Sequence, residues 1–111
     1  MSNLEHALRY INIFFSGGDF DDLAEIFSED LVFEGPFFRS DNSLAYVDSL
    51  KKDPPTGCEY RLIRVFEGAG SVNLIYEFLK GEIRTPMSQL FEFNDGKISR
   101  ILLIFDTAAF P

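Results

Sequence analysis

The C-terminal half of the chain restricts the fold most. Between residues 58 and 106 lie four extended, apolar-rich runs, 58–67, 71–80, 82–93 and 98–106. They are separated by Gly68-Ala69-Gly70, by Gly81 and by Asn94-Asp95-Gly96. The last break contains Asp-Gly, which suits a tight hairpin because its residues tolerate positive φ. Segments this close in sequence pair as an antiparallel meander. Side chains alternate between the two faces of such a sheet. In 82–93, one parity collects Ile83, Thr85, Met87, Gln89, Phe91 and Phe93; the other collects Arg84, Pro86, Ser88, Leu90 and Glu92. The first set is the face that meets helices, and Thr85 and Gln89 are its polar members. The run Ile101-Leu102-Leu103-Ile104-Phe105 does not alternate, so that strand is covered on both faces. The second cover is either another copy of the chain or the C-terminal Ala108-Ala109-Phe110 folded back.

The N-terminal half supplies helices. Ser2-Asn3-Leu4-Glu5 has capping-box spacing. Leu4, Ala7, Leu8, Ile11, Phe14 and Phe15 follow at helical intervals, which predicts a helix over residues 3–16 ended by Gly17-Gly18. Asp19 caps a second helix with Phe20, Leu23, Ile26 and Phe27 inward. Leu31 to Gly35 reads as a short strand stopped by Pro36. The polar stretch Arg39-Ser40-Asp41-Asn42 starts a third helix, with Leu44, Val47 and Leu50 inward and Asp53-Pro54-Pro55 as its stop. Helices followed by a meander describe a single α+β domain over residues 1–111, a curved antiparallel sheet around a long first helix and two shorter ones.

Composition narrows the function classes. The net charge is −8, and the ten Lys and Arg are scattered rather than clustered. Nucleic-acid binders and proteins of anionic membranes need a basic patch, so neither partner is expected. One cysteine, Cys58, makes no internal disulfide, and one histidine, His6, is too little for a zinc site; no metal and no cofactor are expected. A cytoplasmic location is the default expectation. Thirteen phenylalanines among 111 residues suit a dense core or an apolar cavity wall.

Three segments carry a resemblance. Ser16-Gly17-Gly18-Asp19-Phe20-Asp21-Asp22-Leu23 resembles the Gly-Asp break between the first two helices of the nuclear transport factor 2-like superfamily, which includes the SnoaL-like and ketosteroid isomerase-like proteins. Phe27 to Pro36 resembles that superfamily's strand ending in Gly or Asp and then Pro. Phe91-Glu92-Phe93-Asn94-Asp95-Gly96-Lys97-Ile98 resembles its final hairpin. The resemblance covers nearly the whole chain. It implies a cone-like sheet wrapped on the first helix, an apolar pocket between them, and a homodimer, which the doubly apolar run Ile101 to Phe105 places on the outer sheet face.

The same resemblance permits a test of chemistry. Ketosteroid isomerases use an Asp base, with a Tyr and a protonated Asp on the oxyanion. Here the base position falls on Gly35, the second Asp on Gln89, and the Tyr on Tyr10 or Ile11. That catalytic set is not retained. Epoxide hydrolase-type Asp-Arg-Asp groups have no inward counterpart, since Arg84, Arg100 and Asp106 lie on outward parity. Cyclase- and dehydratase-type sites want a histidine near the pocket, and His6 lies early on the first helix.

The expectation is therefore a binding or enzyme-like domain for a small, mostly apolar molecule. Its site comprises Gln89, Tyr10, Thr85, Phe33, Gly35, Met87, Phe91 and Phe105. Gln89 meets either a ligand oxygen or buried backbone and water; Tyr10 points either into the pocket or to the surface. Glu34, Glu77 and Asp106 enter the pocket only if the register slips by one. Phe37-Phe38 form a pocket lip or an interface. Arg61 and Arg64 form a solvated strand face. If the domain is catalytic, the resemblance implies proton transfer of isomerase, cyclase or dehydratase type. The alternative is a non-catalytic dimerisation or interaction domain whose interior is filled by phenylalanine.

Overall fold

The computed structural model describes residues 1–111, Met1 to Pro111. Helix α1 spans Asn3–Ser16, and its start is the expected capping box. The Ser2 hydroxyl accepts from the Glu5 N–H, and the Glu5 carboxylate accepts from the Ser2 N–H, both at 3.1 Å. Gly17 ends the helix in the left-handed region at φ 68°, which only glycine adopts without strain. Ala7, Tyr10 and Ile11 form the buried face.

The expected second helix is a 3₁₀ segment, Phe20–Glu25. Phe20, Leu23 and Ile26 are buried as anticipated, and their spacing of three residues is the repeat of a 3₁₀ turn. Phe27 is not part of it. Strand β1 starts there and runs Phe27–Glu34, four residues earlier than expected. The cause is a distant partner: Phe27 pairs with Ile98, and the Ile98 N–H donates to the Ile26 carbonyl at 2.8 Å.

Arg39–Ser40, expected to lead into a helix, form the short strand β2 and close a hairpin on β1. Helix α2 then spans Ser43–Lys52, with the Asn42 side chain accepting from the Ala45 N–H at 2.7 Å. Its inward face is Tyr46, Val47 and Leu50. Leu44 was expected inward but is 81 % exposed, because the buried stripe of α2 runs through Tyr46, Val47 and Leu50 and leaves Leu44 outside it. The meander follows as β3 (Glu59–Gly68), β4 (Ser71–Lys80), β5 (Ile83–Asn94) and β6 (Lys97–Phe105).

The six strands form one sheet in the order β2-β1-β6-β5-β4-β3. It is mixed rather than wholly antiparallel, since β1 lies parallel to β6. The sheet is open, with β2 and β3 as its two edges, so it is not a closed barrel. No helix is long and apolar enough to cross a membrane.

The face assignment on β5 holds, with Thr85, Met87, Gln89 and Phe91 buried beneath the helices. Register aligns Gln89 with Leu74 on one side and Leu103 on the other, and Met87 with Tyr76 and Phe105. Along β6, Ile101, Leu103 and Phe105 therefore point inward. Leu102 and Ile104 point outward, and Ile104 is 56 % exposed. The C-terminal segment does not cover them. It turns to the inner side, where the Phe110 ring packs on Phe37, Phe78 and Phe105 at centroid distances of 5.8, 5.7 and 5.0 Å. The chain itself leaves the outer face open.

Candidate functional site

The inner layer does not fill its space. A cavity of about 220 Å³ lies between the C-terminal half of α1 and the inner face of β4, β5 and β6. From α1 come Tyr10, Phe14 and Phe15; from the strands come Phe33, Tyr76, Phe78, Met87, Gln89, Leu103 and Phe105. The β1–β2 turn, Gly35 to Phe38, and Phe110 form the mouth. Gly35 matters here for its missing side chain. A Cβ would sit 3.4 Å from the Phe33 ring and 3.6 Å from the Leu103 Cβ, so glycine keeps this wall thin.

Six of the eight expected site residues line the cavity: Tyr10, Phe33, Gly35, Met87, Gln89 and Phe105. Two do not. Thr85 is buried on the same face, but one rung past the cavity, where its hydroxyl bonds the Pro86 carbonyl at 3.4 Å. Phe91 is sealed in the core with its ring edge-on to Tyr10 at 5.5 Å. Strand parity identifies a face but not how far along it the helices stand off.

The polar groups of the wall form one chain. The Tyr76 hydroxyl donates to Gln89 Oε1 at 2.9 Å. Gln89 Nε2 donates to the Tyr10 hydroxyl at 3.5 Å. Tyr10 and Tyr46 share a hydroxyl–hydroxyl bond of 2.6 Å. Gln89 thus meets two tyrosines, rather than the backbone or water expected of a core amide. Tyr46 and Tyr76 were absent from the sequence expectations. Tyr76 was within reach, because it shares the inward parity of Val72 and Leu74 on β4. Tyr46 lies beside Val47 in α2 and carried no distinguishing signal.

Proton counting shows what this chain offers. Three phenols carry one hydrogen-bond proton each, and the amide carries two. Three bonds among them use three of these five. One phenolic O–H and one amide N–H are left over, and the count holds whichever way round the amide lies. Because the Tyr10–Tyr46 bond runs in either direction, the free phenolic proton can reside on Tyr10, at the cavity wall.

Burial keeps the phenols protonated. Desolvation pushes Tyr10 up to about 12, partly offset by its hydrogen bonds with Tyr46 and Gln89. Burial also raises Tyr46 and Tyr76 well above the ordinary phenol range, and the neighbouring Tyr10 adds to both shifts. These groups donate hydrogen bonds and do not act as bases near neutral pH.

No carboxylate joins them. Glu34 is half-exposed and 3.5 Å from Arg100. Glu77 lies on the outer face between Arg61 at 3.0 Å and Arg84 at 3.2 Å. Asp106 is exposed and accepts from the Ala108 N–H at 3.0 Å. His6 packs near Phe93, away from the cavity, with burial lowering its pKa and with Nδ1 lacking a partner. No three His, Cys, Asp or Glu side chains converge to hold a metal ion.

The family model described as "SnoaL-like domain" matches residues 7–101. The chain belongs to the SnoaL-like domain family. Its fold recurs in solved structures. An NTF2-like protein of unknown function from Cytophaga hutchinsonii superposes with a TM-score of 0.82 at 21 % identity, covering 97 % of this chain and 93 % of that one. An LEH-like epoxide hydrolase from M. tuberculosis gives a TM-score of 0.77 at 22 % identity, over 95 % and 83 % of the two chains. A candidate SnoaL-like polyketide cyclase from Jannaschia sp. CCS1 gives 0.77 at 16 %, over 96 % and 87 %. No curated protein is significantly similar to the chain. At these identities the likeness is one of fold, and SnoaL-like folds carry unrelated chemistries under different names.

Proposed function

We propose that this SnoaL-like domain binds a small, mostly apolar molecule through an oxygen acceptor, a carbonyl above all, held by Tyr10 and Gln89. The observation that carries the reading is the hydrogen-bonded chain Tyr76–Gln89–Tyr10–Tyr46 on an otherwise apolar cavity wall, which by count leaves one phenolic and one amide proton unused. A buried donor without an acceptor costs about 1–3 kcal/mol, and a ligand oxygen recovers it. The cavity of about 220 Å³ suits one substituted ring, since an engineered cavity of about 150 Å³ holds benzene.

Binding is favoured over catalysis. Two donors on a carbonyl oxygen would stabilise developing negative charge. Proton transfer also needs a group to take the proton, and the carboxylates lie outside the cavity. Isomerase, cyclase or dehydratase chemistry here would require the substrate to supply that base. The test is an NMR titration with acetophenone, following the Gln89 side-chain amide. Saturable shifts of that amide, with backbone-amide shifts around the cavity that weaken in Gln89→Leu, support the reading; unchanged spectra at solubility-limited concentration refute it.

A homodimer through the outer face accompanies this reading. Phe66, Ile75, Leu90, Leu102 and Ile104 cluster there by register, around Asn73 and Ser88, which bond each other at 3.0 Å, with Arg64 beside Ile75 on the edge strand. Charged pairs sit at both ends, Arg100 with Glu34 and Glu92, and Glu77 with Arg61 and Arg84. An apolar centre with a polar rim is the usual anatomy of an interface. Sedimentation equilibrium should give twice the chain mass for the wild type and the chain mass for Ile104→Glu. A wild-type monomer would contradict the dimer.

A further inference from the structure

A second chamber, a cleft of about 380 Å³ more open to solvent than the first, is also lined by Phe33 and Phe38. Phe14, Phe33 and Phe38 line both chambers, so these three rings form a wall common to the two. Away from this wall, the second chamber is bounded by Tyr46, Ser49, Leu50 and Asp53.

The shared wall is not uniformly firm. Phe33 is buried and stacked on Tyr46, with centroids 4.6 Å apart and planes 13° from parallel. Phe38 is 44 % exposed and sits in the turn between β1 and β2. Its carbonyl accepts from the Gly35 N–H at 2.9 Å, which pins the backbone. Its ring meets Phe33 and Tyr46 only at 6.0 and 6.3 Å. A half-exposed ring on a pinned backbone changes rotamer without moving the turn, and such flips are fast.

We infer that Phe38 is a gate, and that with its ring turned aside the two chambers form one elongated site. The occupant is a two-ring apolar molecule with an acceptor oxygen at its inner end and a hydrogen-bond donor at its outer end. The inference rests on the reading that the first cavity binds a ligand, and extends it to a ligand class.

Volume and polarity support it. The first chamber alone is smaller than the roughly 300–1,000 Å³ usual for ligand pockets, and the second shares Phe14, Phe33 and Phe38 with it. The inner end has spare donors, on Tyr10 or Tyr46 and on Gln89. The outer end has spare acceptors. The Ser49 hydroxyl donates its one proton to the Tyr46 carbonyl at 2.6 Å, which leaves its lone pairs. The Asp53 carboxylate accepts only. A molecule with the opposite polarity would leave the buried inner donors unmatched, whereas the exposed Asp53 carboxylate favours a donor only over water.

The experiment is calorimetric titration of the wild type, Phe38→Trp, Phe38→Ala and Asp53→Asn with three probes: acetophenone, 4-acetylbiphenyl and 4-acetyl-4′-hydroxybiphenyl. Phe38→Trp should lower the affinity of both biphenyls relative to acetophenone about tenfold, or about 1.4 kcal/mol. Phe38→Ala should tighten the biphenyls. Asp53→Asn should weaken the hydroxylated probe alone. Biphenyl affinities indifferent to Phe38, alongside normal acetophenone binding, overturn the gate and leave the first cavity intact. A crystal complex with the second ring leaving past Phe37 and Phe110 does the same. Failure of every probe, acetophenone included, overturns the first reading and this one with it.

Discussion

The hydroxyls of Tyr10 and Tyr46 meet at 2.6 Å, one carried by α1 and the other by α2. Both residues are buried, and the bond ties the two helices together beneath the sheet. It also passes the polar chain from Gln89 out of the first cavity to the wall of the second.

Removing one end of this bond should show in stability. Tyr46→Phe deletes a neutral buried hydrogen bond and should cost about 1 kcal/mol. Tyr10→Phe should cost more, about 2 kcal/mol, because it strands both the Tyr46 hydroxyl and a Gln89 N–H. The double variant should fall short of the sum, since it removes the stranded Tyr46 hydroxyl as well. Urea unfolding of the four proteins measures all three values. Strict additivity would show that the two hydroxyls do not communicate.

Alkaline pH should weaken the fold. An unfolded tyrosine releases its proton near pH 10, whereas Tyr10 in the folded chain does so at about 12. Between these values the folded state holds a proton that the unfolded state has lost. Stability therefore falls as pH rises through this window, by about 1.4 kcal/mol per unit for each buried phenol. Below pH 10 this contribution is fully present. Tyr46 and Tyr76, also raised by burial, steepen the decline. The urea midpoint should drop from pH 10 to 12, less steeply in Tyr46→Phe. A flat profile would contradict the burial of the phenols.

Phe110 closes the mouth of the cavity against Phe37, Phe78 and Phe105. Phe110→Ala should destabilise the domain by about 2 kcal/mol, less than a fully buried phenylalanine because the ring is only half-buried. Acetophenone should dissociate faster from this variant with little change in association rate, as relaxation-dispersion NMR would resolve. Equal dissociation rates would remove Phe110 from the mouth.

Much of this arrangement was legible in the sequence, and the gaps have physical causes. The capping box at Ser2, the Gly17 stop and the alternation along Ile83–Asn94 are local features, and each appears where its chemistry dictates. The early start of β1 at Phe27 was not legible, because it depends on parallel pairing with Ile98, which no local pattern encodes. Gln89 stood out as the amide on an apolar face. Its tyrosine partners come from α1, α2 and β4, and only packing brings them together. Thr85 and Phe91 share its parity but miss the cavity, since alternation along β5 says nothing about where α1 diverges from it.

The central claim is that Tyr10 and Gln89 hold an acceptor oxygen in the first cavity. The most direct measurement compares the affinities of acetophenone and α-methylstyrene, which have nearly the same shape but differ in having a carbonyl oxygen or a methylene. The account predicts about tenfold tighter binding of the ketone, and loss of that preference in Tyr10→Phe/Gln89→Leu while the hydrocarbon still binds. Equal affinities for the two molecules, or a preference that survives the double substitution, would contradict it.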